Sequence, residues 1–317
     1  MPQACEVPVS ESPPAQPTTS VSNVRAADSR TWPGRLLLVS DGSFDSDGAI
    51  AAALALARPA GASVELLITY APRIPLPSLA DRCGVAQCEP CDRQELARIL
   101  RATRDRVRHV VSARADRADW TLRVEIGDPG ATVVRVADQM PPDVVVVGIG
   151  QREVFDERAG GRTAVCAARY LDAPLLAAAR HYRAPDRCVI ALPHGRVNAR
   201  TIASALACMP HGGLVYLAFP GAIPSPRSLE TSSPDIHRIV MDACGPRIAA
   251  KLDRVELVRV DVAGDMLTSV LELADDVGAT LIAVPIFGRP GPVRAFLPNL
   301  AEPLLFAAQC SVLVVPG

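Results

Sequence analysis

The chain has 317 residues, 49% hydrophobic and 21% charged, with a net charge of −1. That length suits about two domains with ordinary cores, and the near-neutral charge gives no reason to expect nucleic acid or an anionic membrane as partner. No apolar run approaches the roughly 18 residues of a membrane span and no apolar signal core opens the chain, so the nine cysteines read as thiols of a reduced, cytoplasmic protein.

Residues 1–34 are rich in Pro, Ser, Thr and Ala without an apolar period, and are expected to form a disordered tail. An apolar strand at 36–40 precedes Asp41-Gly42-Ser43, then a helix over 49–57, with Gly61 where a helix would end, and a strand at 64–69. Residues 71–94 break the pattern with four prolines and with Cys83, Cys88 and Cys91. The spacing then predicts an amphipathic helix over 95–114, a strand at 120–126, a helix at 129–139 and a strand at 144–147. The four valines of that last strand imply burial on both faces, as in a parallel sheet. Gly148 and Gly150 allow a sharp turn, and Gly161-Arg162-Thr163 opens another helical pattern. Free N–H groups at such a helix start can cradle an anion.

The layout then recurs. Residues 189–192 match the first strand, and helices are expected at 197–207, 236–252, 267–277 and 300–309. Strands are expected at 214–219, 255–262, 281–284 and 312–315, with a Pro/Ser-rich loop over 220–234. Gly127-Asp128 and Gly264-Asp265 precede corresponding helices. The chain therefore reads as two copies of one α/β unit, residues 35–184 and 185–317, each a doubly wound parallel sheet with right-handed crossovers. The first copy is the longer between its first and fourth strands, which makes the cysteine-bearing stretch of about 71–94 an insertion.

This order of elements, with Asp41-Gly42-Ser43 after the first strand and Gly127-Asp128-Pro129 before a helix, resembles the universal stress protein family, twice in tandem. The resemblance implies two Rossmann-like, five-stranded parallel sheets of the adenine-nucleotide alpha hydrolase-like kind. It also implies a possible ATP site in the loops after strands 1 and 4. In the family's glycine register the first copy reads Gly148, Gln151, Gly161, Arg162, and the second Pro285, Gly288, Pro298, Asn299. Neither is intact. Pro298 has no N–H to offer a phosphate, and His194 stands for the acidic residue after the strand. ATP is thus expected in the first copy alone, against Ser40, Asp41, Thr69, Gly148, Gly150, Gly161, Arg162 and Thr163. The second copy is expected to be degenerate.

The reading implies a regulatory or binding module, at most a slow ATPase, since no nucleophile elbow, zinc-protease pair or phosphate-loop lysine is present. The alternatives are an interaction protein without nucleotide, and a sensor acting through Cys83, Cys88 and Cys91. These three thiols have a spacing suited to zinc or iron, or to a redox dithiol, but lack a fourth ligand nearby. Cys188, Cys208, Cys244 and Cys310 lie in apolar contexts and read as core. The arginines on the helix at 95–114 read as a solvated face. The two halves are expected to pair within the chain, with a homodimer possible.

Overall fold

The computed structural model describes residues 32–40, 46–70, 90–112, 120–149, 161–221, 229–231, 234–288, 290–291 and 299–317. The first half runs β1 (Arg35–Ser40), α1 (Ser46–Ala60), β2 (Ser63–Tyr70), α2 (Pro90–Ser112), β3 (Trp120–Ile126), α3 (Pro129–Gln139), β4 (Val144–Ile149), α4 (Gly161–Tyr170) and β5 (Leu175–Ala179). The second runs β6 (Arg187–Ala191), α5 (Ala199–Ala207), β7 (Gly213–Pro220), β8 (Leu229–Thr231), α6 (Pro234–Cys244), α7 (Ala249–Leu252) and β9 (Val255–Val262). It closes with α8 (Met266–Val277), β10 (Leu281–Ile286), α9 (Ala301–Ala307) and β11 (Ser311–Pro316).

The described strands form one sheet of eleven, in the order β3-β2-β1-β4-β5-β11-β10-β6-β7-β9-β8. Neighbours are parallel except at two places. β11 pairs antiparallel with β5, and β8 antiparallel with β9. The centre of the sheet is thus the seam between halves, where Leu313 faces Leu176 in register. Both leucines are fully buried. Burying side chains of this size stabilises by about 1.5–3 kcal/mol each.

Successive residues of each strand feed opposite faces, as the period of two requires. On one face Leu36, Leu38, Val144 and Val146 meet Ile50 and Leu54 of α1, and the same cluster continues through Leu313 to Cys188 and Ile202. On the other, Leu37, Val145 and Val147 meet Val133 and Val136 of α3, and this cluster reaches Val189 and Leu304. Each apolar layer therefore crosses the seam without interruption.

Asp128 and Asp265, the acidic residues after the two matched glycines, are helix caps. Asp128 accepts from Ala131 N at 2.9 Å, and Asp265 from Thr268 N at 2.9 Å. Those bonds satisfy N–H groups that a helix start leaves unpaired. They also hold the exposed Asp265 carboxyl below its ordinary pKa.

Four sequence expectations are corrected. Trp32, Pro33 and Gly34, assigned to the tail, are packed: Pro33 is buried, and Gly34 N and Arg35 N both donate to the Asp143 carboxylate, at 2.8 and 2.9 Å. The second helix begins at Pro90, so Cys91 is helical rather than in a loop; proline is well suited to a helix's first turn, where its missing N–H costs nothing. The expected helix over 236–252 breaks after Cys244, where Gly245 takes φ 73° and Pro246 follows. The Pro/Ser-rich stretch after β7 contains the short strand β8.

Candidate functional site

Open parallel sheets place ligands beyond the carboxyl ends of their strands, where the order reverses. In the first half that point lies between β1 and β4, which neighbour each other in the order β3-β2-β1-β4-β5. Leu38 pairs with Val146, so two residues further along the same register Ser40 comes beside Gly148. On its other side Ser40 pairs with Ile68, one residue short of Thr69. Ser40 and Thr69 are 2% and 6% exposed, both polar, and lie at the carboxyl ends of β1 and β2. Gly148 is half-buried, beside Ala178 of β5. Gly161 and Arg162 open α4, and Thr163 stands half-buried one residue on. The structure therefore brings Ser40, Thr69 and Gly148 to one edge of the sheet. Asp41 and Gly150, and the side chain of Arg162, lie outside the described residues.

α1 closes over this edge. The Gly48 position lies so near β5 that a Cβ would stand 1.9 Å from the Ala179 carbonyl oxygen. Only a glycine lets the helix start approach the strand end so closely.

The register identifies the counterpart of each of these residues in the second half. Cys188 pairs with Leu281 as Leu36 pairs with Val144, and Cys188 with Val215 as Leu36 with Val64. Leu192 then corresponds to Ser40, Pro220 to Thr69 and Pro285 to Gly148. Since Leu192 takes the place of Ser40, Pro193 is the next residue along, and His194 falls one position beyond where the sequence comparison had placed it. His194 packs its ring on Phe287, centroids 4.7 Å apart at 56°. Phe287 in turn meets the terminal Gly317. Every polar or open position of the first edge is thus apolar, ring-bearing or proline in the second, and Pro285 has no N–H to offer a ligand. The side-chain oxygen of Asn299, the counterpart of Arg162, accepts from Glu302 N at 3.0 Å at the start of α9. The ring pair was not legible in the sequence, where His194 and Phe287 lie far apart; the proline at 285 was the available signal.

Cys83 and Cys88 lie outside the described residues, and Cys91 sits in the first turn of α2. Among the described residues no group of three or more His, Cys, Asp or Glu side chains could hold a metal ion. Cys166 lies on α4, half-buried against α3; burial and the charge of Asp128 push its thiol pKa up, which disfavours the thiolate a metal needs. Cys188 and Cys208 are buried, and Cys244 and Cys310 partly so. Burial raises Cys208 to about 12, and Cys244 and Cys310 to about 11. No described helix is long and apolar enough to cross a membrane.

The repeated strand order, with helices on both faces, defines a Rossmann-like fold of the adenine-nucleotide alpha hydrolase-like class. Residues 34–178 match the universal stress protein family. A universal stress protein from Archaeoglobus fulgidus DSM 4304 aligns over 90% of this chain and 99% of its own, at 12% identity and a TM-score of 0.60. A functionally unknown protein from Pseudomonas aeruginosa PAO1 aligns over 90% of this chain and 94% of its own, at 13% identity and a TM-score of 0.51. At such identities the likeness is one of fold. No curated protein matches the chain in sequence.

Proposed function

We propose that the chain is a regulatory binding module of the universal stress type, and that its first half alone takes an adenine nucleotide, ATP or a close relative. One observation carries this reading: at matched places on the two strand-end edges, the first half presents Ser40, Thr69 and Gly148, where the second presents Leu192, Pro220 and Pro285. Asp41 follows Ser40 directly in sequence, and supplies an acceptor for a nucleoside hydroxyl. Gly148 admits a phosphate or sugar close to the backbone, and Arg162 supplies positive charge at the start of α4.

Calorimetric titration of the full chain with ATP tests this. One site per chain is expected, with affinity lost in Asp41→Ala and weakened about ten-fold or more in Thr69→Val, each lost hydrogen bond to a charged or polar ligand costing roughly 1–3 kcal/mol. Gly288→Ala, in the second half, should leave binding unchanged. Binding that survives Asp41→Ala, or that fails in Gly288→Ala, would refute the assignment.

A further inference from the structure

The two ends of the sheet are finished differently. In the second half the outer edge of β9 is covered by β8, antiparallel, with Glu230 opposite Arg259. In the first half the matching strand is β3, and among the described residues nothing pairs with its outer edge. β3 does not have the character of a protected edge. Leu122, Val124 and Ile126 are 52%, 37% and 54% exposed, all on the face shared with Leu66 and Ile68 of β2. Natural edge strands usually carry charge or proline at such places, because an open apolar edge invites another strand.

The direction of the free backbone groups follows from the matched strand. The carbonyls of Arg254 and Val262 both point inward, accepting from Gly213 N and Gly221 N of the β7 side. Alternate residues of β9, Arg259 among them, point outward to β8. Trp120 pairs with Val64 as Leu257 pairs with Val215, which carries Arg259 onto Leu122. The outward N–H and C=O groups of β3 are therefore those of Leu122, Val124 and Ile126.

We propose that this edge joins two copies of the chain, β3 against β3, antiparallel about a twofold axis through Val124. The sequence of the strand selects that register. With Val124 opposite itself, Leu122 lies opposite Ile126 of the partner subunit, and Arg123 opposite Glu125 of the partner subunit. A shift to either neighbouring register allowed by the outward groups sets Arg123 against Arg123 or Glu125 against Glu125, and like charges directly opposite are disfavoured. The twofold axis stands perpendicular to the sheet, so apolar residues meet apolar ones on one face. On the other, the charged residues extend a network already present within the chain, in which Arg123 bonds Glu125 at 2.7 Å and Arg135 bonds Glu125 at 2.9 Å. The interface is isologous, as a closed dimer requires. It is also short, which places it among weak, concentration-dependent contacts.

Sedimentation equilibrium of the full chain tests the proposal. The average mass should rise with concentration towards twice 33.5 kDa. Val124→Pro removes one outward N–H and leaves the ladder to β2 intact, so the variant should stay monomeric while keeping its circular dichroism spectrum. Arg123→Glu and Glu125→Arg should each be monomeric alone, since each sets like charges opposite, yet an equimolar mixture should regain the dimer. That recovery cannot come from misfolding, and it stands even if the proline variant does not fold. A wild-type chain that stays monomeric at every concentration would overturn the proposal and assign the edge to another segment of the chain or to a different partner. A dimer indifferent to the proline and to both charge reversals would overturn it equally.

Discussion

Replacing Gly48 with alanine sets two effects of opposite sign against each other. In a helix, alanine is favoured over glycine by about 0.8–1.0 kcal/mol, so propensity alone predicts a stabler protein. The structure predicts the reverse. The new methyl would stand 1.9 Å from the Ala179 oxygen, 2.8 Å from its carbonyl carbon and 3.0 Å from the Arg180 oxygen. The obstacle is backbone, in a strand paired on both sides by β4 and β11, so it cannot swing aside. The helix must move by about an ångström instead, lifting buried Ile50 and Leu54 from their contacts. Overpacking of this kind costs roughly 1–3 kcal/mol, or more where nothing relaxes. Setting the propensity gain against the upper part of that range leaves a net loss of about 1–2 kcal/mol. For a unit of this size that is a fall of roughly 2–8 °C in melting temperature. Thermal unfolding of Gly48→Ala beside the wild type, followed by far-ultraviolet circular dichroism, measures it. An unchanged or raised melting temperature would mean that α1 does not approach β5 so closely, and the account of how this edge is closed would fall with it.

Across the seam, Arg169 and Glu302 form an ion pair at 2.5 Å, with side chains 34% and 30% exposed. A double-mutant cycle to alanine should return a coupling of only about 0.5 kcal/mol, because solvent screens such a pair, whereas Leu313→Ala at the same seam should cost about 2–5 kcal/mol by denaturant unfolding. Burial raises Cys208 from 9.0 to about 12, so the folded thiol stays neutral where the unfolded one ionises. A raised folded pKa contributes stability that is present below pH 9 and lost as pH climbs towards 12. The difference in stability between wild type and Cys208→Ala should therefore change over that window and be constant below it.

The elements legible in the sequence were those whose ends carry their own chemistry. α3 was bounded correctly because Pro129 sits at its first position and Asp128 caps it. The valine run of β4 could be little other than a central strand. β8 was missed because three residues carry no period, and its pairing is decided by β9, which follows only after α6 and α7. The break after Cys244 was written in Gly245 and Pro246 but was overridden by an apolar period that continues on either side. At the candidate site the strand ends were found because hydroxyl and glycine residues interrupt apolar runs there. The contact of His194 with Phe287 was not found, since nothing local in either stretch points to the other.

The antiparallel seam has a consequence for assembly. β5 ends, and β6 begins, on the same edge of the sheet, because the strands of the second half run the opposite way. The connection, residues 180–186, has only to cross the starts of β11 and β10. Three strand spacings make about 14 Å, and seven extended residues reach up to about 23 Å. Had the seam been parallel, the same link would also have had to climb the height of a five-residue strand, about 17 Å, and would have used nearly all of that reach. So short a tether keeps each half in the presence of the other at an effective concentration of order millimolar. Docking of β11 on β5 is then a first-order event, indifferent to dilution, and the seam survives at protein concentrations where two separate subunits joined by the same contact would drift apart.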